Sequence, residues 1–208
     1  MGKALNYLGQ LRPYSYADLL LLFVALDAST SQVLGLSLLW FGFLTHLEWR
    51  HRDVGRARWP WYVWVTLWVA ATAVLRDPQV IPFFALATGY SLKKRYPALA
   101  AVSPLLNGGL KVALVIPLQG ADQGALLVVL ALMTVRNLLG DVRDAEKDHR
   151  EGVRTLPVRL GYTRRTPWVY PLFLAATSAV WAVWGGVGWG VWVAAVAVQA
   201  ATYHLTPR

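Results

Sequence analysis

The sequence predicts an all-α fold, a polytopic membrane helical bundle in which the chain crosses the bilayer about eight times. Three observations predict it: 56% of the 208 residues are hydrophobic, only 15% are charged, and apolar runs recur between charged or turn residues. Charged residues make up about a quarter of an average soluble domain. The hydrophobicity excludes a disordered chain, and the absence of cysteine excludes a disulfide-stapled secreted domain. Residues 1–208 are expected to form a single integral membrane domain.

Eight apolar stretches are candidates for membrane spans. A helix needs roughly 20 residues to cross the hydrocarbon core, and fewer where neighbouring helices pack around it. The fourth stretch is short by this measure. In chain order the stretches are Tyr14–Ala28, Gln32–His46, Pro60–Leu75, Gln79–Leu92, Pro97–Leu118, Gly124–Leu139, Trp168–Trp184 and Trp189–Tyr203.

The basic residues indicate how these stretches are oriented. With eight spans, 18 of the 20 Lys and Arg residues fall on one side: in both termini, in the loops after the second and fourth stretches, and in or next to the loop after the sixth. Cytoplasmic loops carry the basic excess in membrane proteins. The sequence therefore predicts a multi-pass protein of the cell membrane with both termini cytoplasmic. The net charge of +9 is explained by this orientation, so no nucleic-acid partner is expected.

A stripe of carboxylates follows the sixth stretch. On a helix Asp141, Asp144 and Asp148 fall within an arc of about 60°, Asn137 falls on the same face, and Arg143 points elsewhere. Carboxylates on one face repel one another unless a cation lies among them, and hard oxygen ligands suit Mg²⁺. The alternative interpretation is a solvated acidic helix end that nearby arginines neutralise.

The segment that begins at Asn137 and ends at Gly161 resembles a known motif. It is similar to the second aspartate-rich motif of the UbiA superfamily of intramembrane prenyltransferases. That motif reads Asp-x-x-Asp-x-x-x-Asp, then a glycine, then Thr-Leu-Pro and a final Leu-Gly. Here the glycine is Gly152 and the tripeptide is 155–157.

Two shorter similarities occur in the order that the family has them. Arg12-Pro13 before the first stretch looks like the family's N-terminal Arg-Pro. Tyr90, followed by Lys94 and Arg95 after the fourth stretch, resembles the family's tyrosine with a following Lys-Arg pair. The resemblance thus covers most of the chain, although only the motif after the sixth stretch is specific.

The resemblance implies a fold, a cofactor and a reaction. It implies helices around a central cavity open to lipid, where Mg²⁺ binds a polyprenyl diphosphate donor and the ionised isoprenoid alkylates an aromatic or polar lipid acceptor. It implies metal ligation by Asp141, Asp144 and Asp148, the first two also being catalytic. The residues assigned to the diphosphate are Tyr90, Lys94, Arg95, Asn137, Arg50 and Arg154.

The first aspartate-rich motif departs from the family pattern. If Asp53 aligns with the last aspartate as a metal ligand, His46 and Trp49 stand where two carboxylates belong. Glu48 lies about 200° from His46 on a helix and cannot replace them on that face. Either Arg50 and its neighbours are orientation anchors beside a decayed site, or cationic side chains there replace one Mg²⁺.

Lys111 is a charge inside the fifth predicted span. It follows Asn107-Gly-Gly, where a broken helix could line a cavity. Intramembrane charges are costly and often functional, although a lysine can also extend toward the interface. Lys111, Asn107 and His46 are assigned to the acceptor side of the cavity.

Two functions remain open from the sequence. One is Mg²⁺-dependent transfer of an isoprenoid chain inside the membrane. The other is a catalytically degenerate relative that binds lipid or a partner, which the altered first motif suggests. A CDP-alcohol phosphotransferase also uses membrane aspartates, but it needs an Asp-Gly-x-x-Ala-Arg run that this sequence lacks.

Overall fold

The regular structure of this protein is helical. The structure is a computed structural model that describes residues 3–51 and 58–205, and no β-strand occurs in these two ranges. Short 3-10 turns cover Pro78–Val80 and Tyr203–Leu205. The α-helices are α1 (Lys3–Gln10), α2 (Pro13–Ala25), α3 (Thr30–His51), α4 (Trp61–Leu75), α5 (Ile81–Ser91), α6 (Pro97–Ala101), α7 (Ser103–Val115), α8 (Gln123–Arg150), α9 (Leu156–Arg159), α10 (Val169–Trp184) and α11 (Trp189–Thr202).

The all-α class is confirmed, and each of the eight predicted stretches overlaps a helix. The fifth stretch differs from the prediction because it divides at Val102 into α6 and α7. Pro104 lacks an N–H group and cannot continue a helix from the preceding turn, so a new helix starts beside it. The expected break at Asn107 does not occur, since α7 runs through that residue.

One helix, α8, is long and apolar enough to cross a membrane by length and composition, among the residues described. Its 28 residues extend about 42 Å at 1.5 Å per residue, more than a bilayer core. Helices α4 and α10 are apolar but shorter. Helices α5 and α7 contain 11 and 13 residues, well below the roughly 20 that a span needs.

The chain divides into two compact units. The first comprises Met1–Pro78, Leu118–Gly120 and Ala176–Arg208, and the second comprises Gln79–Pro117 and Ala121–Ala175. The boundary falls within α10, so the first turns of that helix belong to the second unit.

In the first unit, α3 and α4 approach closely where α3 carries glycine. A Cβ atom on Gly42 would lie 2.3 Å from Cδ1 of Trp68, so only glycine leaves space for this indole. The Trp68 Nε1–H group donates a hydrogen bond to the Leu39 carbonyl oxygen at 3.2 Å. The tryptophan is thereby fixed against the α3 backbone.

The first unit also buries polar side chains while it exposes apolar ones. Oδ1 of Asp18 on α2 accepts hydrogen bonds from the hydroxyls of Thr177 and Ser178 on α10, at 3.1 and 2.8 Å. Gln199 on α11 donates to the Ser178 hydroxyl at 2.6 Å. Gln199 is 4% exposed, whereas Val193 on the same helix is 55% exposed. This polarity is inverted relative to a surface helix in water.

In the second unit, α7 packs against α8 at Gly108. A Cβ atom at this position would lie 2.2 Å from Oγ1 of Thr134 and 2.9 Å from the carbonyl oxygen of Leu130. The second contact is with backbone, which cannot rotate away as a side chain can. The close approach of α7 and α8 therefore requires glycine.

The glycine of the acidic motif ends α8. Gly152 has φ 71°, and its N–H donates to the His149 carbonyl at 3.2 Å, while Val153 donates to the Asp148 carbonyl at 2.8 Å. These two bonds form a Schellman cap, whose left-handed residue is usually glycine. The cap turns the chain sharply directly after the last aspartate of the stripe.

Candidate functional site

The candidate site lies in the second unit, around Asp141 on α8. Asp141 is only 5% exposed, and its two carboxylate oxygens have different partners. Oδ2 accepts a hydrogen bond from the hydroxyl of Ser103, at the first residue of α7, over 3.0 Å. Oδ1 forms an ion pair with Lys93, whose Nζ lies 3.6 Å away. A buried carboxylate needs such partners because burial without them is costly.

Tyr90 joins this group from the last turn of α5. The Lys93 Nζ donates to the Tyr90 hydroxyl at 3.2 Å and lies 4.8 Å from the centre of the ring. The Tyr90 hydroxyl in turn donates to Oδ1 of Asn137 at 3.2 Å. The structure therefore brings together Tyr90, Asn137 and Asp141, three residues that the sequence assigns to one site.

Two members of this group, Lys93 and Ser103, are absent from the sequence-based assignment. The sequence named Lys94, and the structure shows Lys94 in an ion pair with Glu151 at 3.3 Å. A signal for Lys93 was present, because it follows Tyr90 by three residues and residues at that spacing share a helix face. No periodic pattern links Ser103 to Asp141, which is 38 positions away.

The charge of Lys93 is favoured by its surroundings. Burial opposes the ammonium, but the neighbouring Tyr90 and Asp141 outweigh burial, with a smaller contribution from Asp148, and raise the pKa of Lys93 above its usual value. The side chain is 16% exposed. Lys93 is therefore a charged group held at the face of α8 that carries Asp141, Asp144 and Asp148, which is called the acidic face below.

Asp144 has its own cation, which the helical pattern placed on another face. The long Arg143 side chain extends around the helix to the next residue. Its Nε donates to Oδ1 of Asp144 at 2.8 Å, and its Nη2 donates to Oδ2. The Arg143 guanidinium also lies 4.6 Å from the ring centre of Tyr170 on α10. A planar guanidinium suits both contacts, so the direction of Arg143 follows from its length and from Tyr170.

Asp148 is a half-buried carboxylate of the stripe. Burial, together with the charges of Asp141 and Asp144, raises its pKa to about 6, although Lys93 and Thr155 act in the opposite direction. Burial is the largest of these causes, and the negative charges of the two neighbouring carboxylates add to it, so a cation nearby would lower this pKa. The acidic face therefore favours an additional cation.

The acidic face is not a preformed metal cage. Throughout 3–51 and 58–205, no group of three or more His, Asp or Glu side chains is arranged to hold a metal ion. The donor chemistry of Asp141, Asp144 and Asp148 nevertheless fits Mg²⁺, which binds a few carboxylates and retains water. Two of these carboxylates are already paired with Lys93 and Arg143. Metal binding at this face thus requires that side chains move.

The other sequence-assigned residues of the second unit have separate environments. Arg95 is exposed, with its guanidinium 5.8 Å from the ring centre of Tyr96. Arg154 is also exposed, and its carbonyl oxygen accepts a bond from Arg159 at 3.3 Å. On α7, Asn107 is half-buried, while Lys111 is 1% exposed and so does not extend into the solvent.

The first-motif residues lie in the first unit, and Asp53 is outside the described residues. His46 is 4% exposed, with ring centres of Trp64 and Trp68 at 4.9 and 5.3 Å and that of Trp49 at 5.9 Å. Two further contacts complete this region: Arg50 lies 5.9 Å from the Trp49 ring centre, and Glu48 pairs with Arg12 at 3.6 Å. His46 is thus packed in an aromatic cluster.

The fold and site define a class of protein: a chain whose regular structure is helical throughout the described residues, with a carboxylate stripe at the end of its longest helix, partly neutralised by half-buried cations. No protein-family model, curated protein or solved structure matches the chain.

Proposed function

We propose that this protein is a UbiA-type intramembrane prenyltransferase, which transfers an isoprenoid chain from an allylic polyprenyl diphosphate to an aromatic or polar lipid acceptor. One observation carries the proposal. The Tyr90 hydroxyl bonds Asn137 directly at 3.2 Å, and Lys93 links Tyr90 to Asp141 by contacts of 3.2 and 3.6 Å, so residues of two separate motif-like segments meet. Helix ends that share no site are not expected to bring these residues together.

The proposal places the chain in a membrane, with eight spans around a central cavity and both termini cytoplasmic. The inverted polarity of α11 supports a lipid environment, since Gln199 is buried and Val193 is exposed. On α8, Leu127 is 66% exposed. Large exposed apolar surfaces are unfavourable in water and are normal where lipid covers them.

The acidic face would hold Mg²⁺ through Asp141, Asp144 and Asp148. When bound, the metal neutralises the diphosphate as it leaves. In the transfer, the bond between the allylic carbon and the diphosphate oxygen breaks, a bond from the acceptor to that carbon forms, and the acceptor loses a proton. Lys93 and Lys94 add positive charge on the same side, where a departing diphosphate is stabilised. Ser103 fixes the orientation of the Asp141 carboxylate.

The proposal is tested by following Mg²⁺-dependent release of diphosphate from geranyl, farnesyl and geranylgeranyl diphosphates, with a lipid extract as acceptor and mass spectrometry of the products. Asp144→Asn should lower the rate about 100-fold or more, because it removes a metal ligand without changing the shape of the side chain. Glu146→Gln is the matched control, since Glu146 is exposed on the same helix. Equal rates in both variants, or turnover in EDTA, would contradict the proposal.

A second candidate is a catalytically degenerate relative that binds lipid or a partner. The aromatic cluster around His46 favours it, because this residue stands where the first motif has a carboxylate and is packed against Trp64 and Trp68. In that case no donor yields a product, while native mass spectrometry detects the same co-purified lipid on wild type and on Asp144→Asn. Product formation from any donor would exclude this candidate.

A further inference from the structure

We propose that Lys93 is the resident counter-ion of the acidic face and that a divalent cation binds there only by displacing it. Lys93 is then a positioning residue that sets the affinity of the face for divalent cations. The inference rests on the proposed function in one respect, because that function supplies the need for a divalent cation.

The geometry places the ammonium beside Asp141, the most buried carboxylate of the face. Its Nζ lies 3.6 Å from Oδ1 of Asp141 and donates to the Tyr90 hydroxyl at 3.2 Å. The ring of Tyr90 lies beside it, 4.8 Å from Nζ to the ring centre. The described parts of the chain hold no preformed metal cage, and the ammonium stands beside the carboxylate that would face a metal.

Both cations cannot occupy the face together. An ammonium and a divalent ion that share the Asp141 carboxylate would lie a few ångströms apart, where like charges repel strongly in a partly buried site. The Asp141 Oδ2 already accepts the hydrogen bond from Ser103, so Oδ1, beside the ammonium, is the oxygen more open to a metal. Entry of the metal therefore requires that the ammonium leave Oδ1.

Lys93 can leave more easily than the other cation of the face. It lies in the turn that follows α5, and its flexible four-carbon chain allows the ammonium to move without disturbing a helix. Arg143 is held by two bonds to Asp144 and by the Tyr170 ring. A displaced Lys93 ammonium would remain beside the metal-bound face, where it is available to an anionic ligand such as a diphosphate.

The first experiment measures Mn²⁺ binding by electron paramagnetic resonance on the full-length, substrate-free protein in detergent micelles. Lys93→Met should bind Mn²⁺ at least about tenfold more tightly than wild type, because the competing charge is gone. Lys93→Arg should restore weak binding. Lys147→Met is the matched control, since it removes a lysine whose ammonium pairs with Glu151 at 3.6 Å, and should bind within about threefold of wild type.

The second experiment needs only the wild-type protein and so does not depend on folding of a variant. Lysine acetylation is followed by mass spectrometry with and without saturating Mg²⁺. Displacement should raise the reactivity of Lys93 and leave that of Lys94 unchanged. Either unchanged Lys93 reactivity, or equal Mn²⁺ affinity of Lys93→Met and wild type, would overturn the inference.

The two proposals fail in distinguishable ways. If wild type binds Mn²⁺ and releases diphosphate while Lys93→Met binds no more tightly, the role of Lys93 is wrong and the proposed function stands. If neither wild type nor Lys93→Met binds Mn²⁺ and no diphosphate is released, both are wrong.

Discussion

The Tyr90 hydroxyl donates a hydrogen bond to Oδ1 of Asn137 over 3.2 Å, and so connects residues 47 positions apart. The same hydroxyl accepts a hydrogen bond from Lys93. The end of α5 is thus tied to α8 one turn before Asp141. The acidic face is positioned by this connection as well as by its own helix.

Tyr90→Phe should loosen this connection. It removes one accepted and one donated hydrogen bond and keeps the ring, so the free energy of unfolding should fall by about 1–2 kcal/mol. Thermal unfolding in detergent measures this loss. Tyr96→Phe is the control, because Tyr96 is exposed and lies beside Arg95. An equal effect of both substitutions would show that the Tyr90 hydroxyl has no special role.

Ser103→Ala should destabilise the second unit through Asp141. Loss of the hydroxyl leaves Oδ2 of a buried carboxylate without this donor, with an expected loss of about 1–3 kcal/mol. Ser91→Ala provides the comparison, since the hydroxyl of buried Ser91 donates to the nearby Thr88 carbonyl at 2.7 Å. Melting temperatures of the two variants should differ by several degrees; similar values would argue against a structural role for the Ser103–Asp141 bond.

Gly108→Ala should disturb the packing of α7 on α8. The added methyl group would lie 2.9 Å from the Leu130 carbonyl oxygen, so the helices must separate, with a loss of about 1–3 kcal/mol. Gly109→Ala is a neighbouring control whose closest contact is 3.7 Å, from Leu86. It should be neutral or stabilising, because alanine favours helix. Chemical denaturation of both variants tests the contrast, which fails if they unfold alike.

Asp148 should make the metal-free protein less stable as the pH rises. Burial raises the pKa of Asp148 to about 6 from its ordinary value of 3.8, so the folded state binds the proton more tightly than the unfolded state. Its contribution to stability is complete below the ordinary pKa and is lost as the pH rises through about 6. The loss is at most about 3 kcal/mol.

Melting in EDTA across this pH range measures the effect of Asp148. Wild type should lose more stability than Asp148→Asn, whose side chain does not titrate there. Identical pH profiles of the two proteins would contradict the shifted pKa. Addition of Mg²⁺ should reverse the wild-type loss above about pH 6, because the ionised carboxylate is then compensated.

The membrane topology can be mapped with single cysteines, since the natural sequence contains none. Gly188→Cys lies between α10 and α11, and a Cβ atom there meets nothing within 4 Å. It should react with an impermeant maleimide applied to intact cells. Glu146→Cys, exposed at the end of α8, should react only after the cells are opened. Labelling of both positions from one side would refute the proposed orientation.

Much of the helical layout could be predicted from the sequence. Apolar runs between charged residues predicted where helices lie, because such runs bury or contact lipid only as helices whose backbone is internally satisfied. The division of the fifth stretch at Val102 was missed because an apolar run does not show whether a proline within it, here Pro104, starts a new helix. Helix α1 (Lys3–Gln10) was missed because it precedes the first apolar stretch, and a search for apolar runs does not detect a helix outside them.

The sequence by itself determined which residues share the acidic face. Asp141, Asp144 and Asp148 lie on one side of α8 because the period of a helix is a local property of the backbone. The positive-inside pattern is local in the same way, since it depends only on where charges fall along the chain.

Only the tertiary structure decided which groups compensate those carboxylates. Lys93 was selected over Lys94 by the direction in which the chain leaves α5, and Ser103 by the start of α7. Arg143 turns toward Asp144 beside a ring from another helix. Lys93 and Ser103 come from segments far from Asp141 in sequence, and the Tyr170 ring beside Arg143 belongs to another helix, so these contacts depend on how helices pack, which no periodicity along one helix encodes.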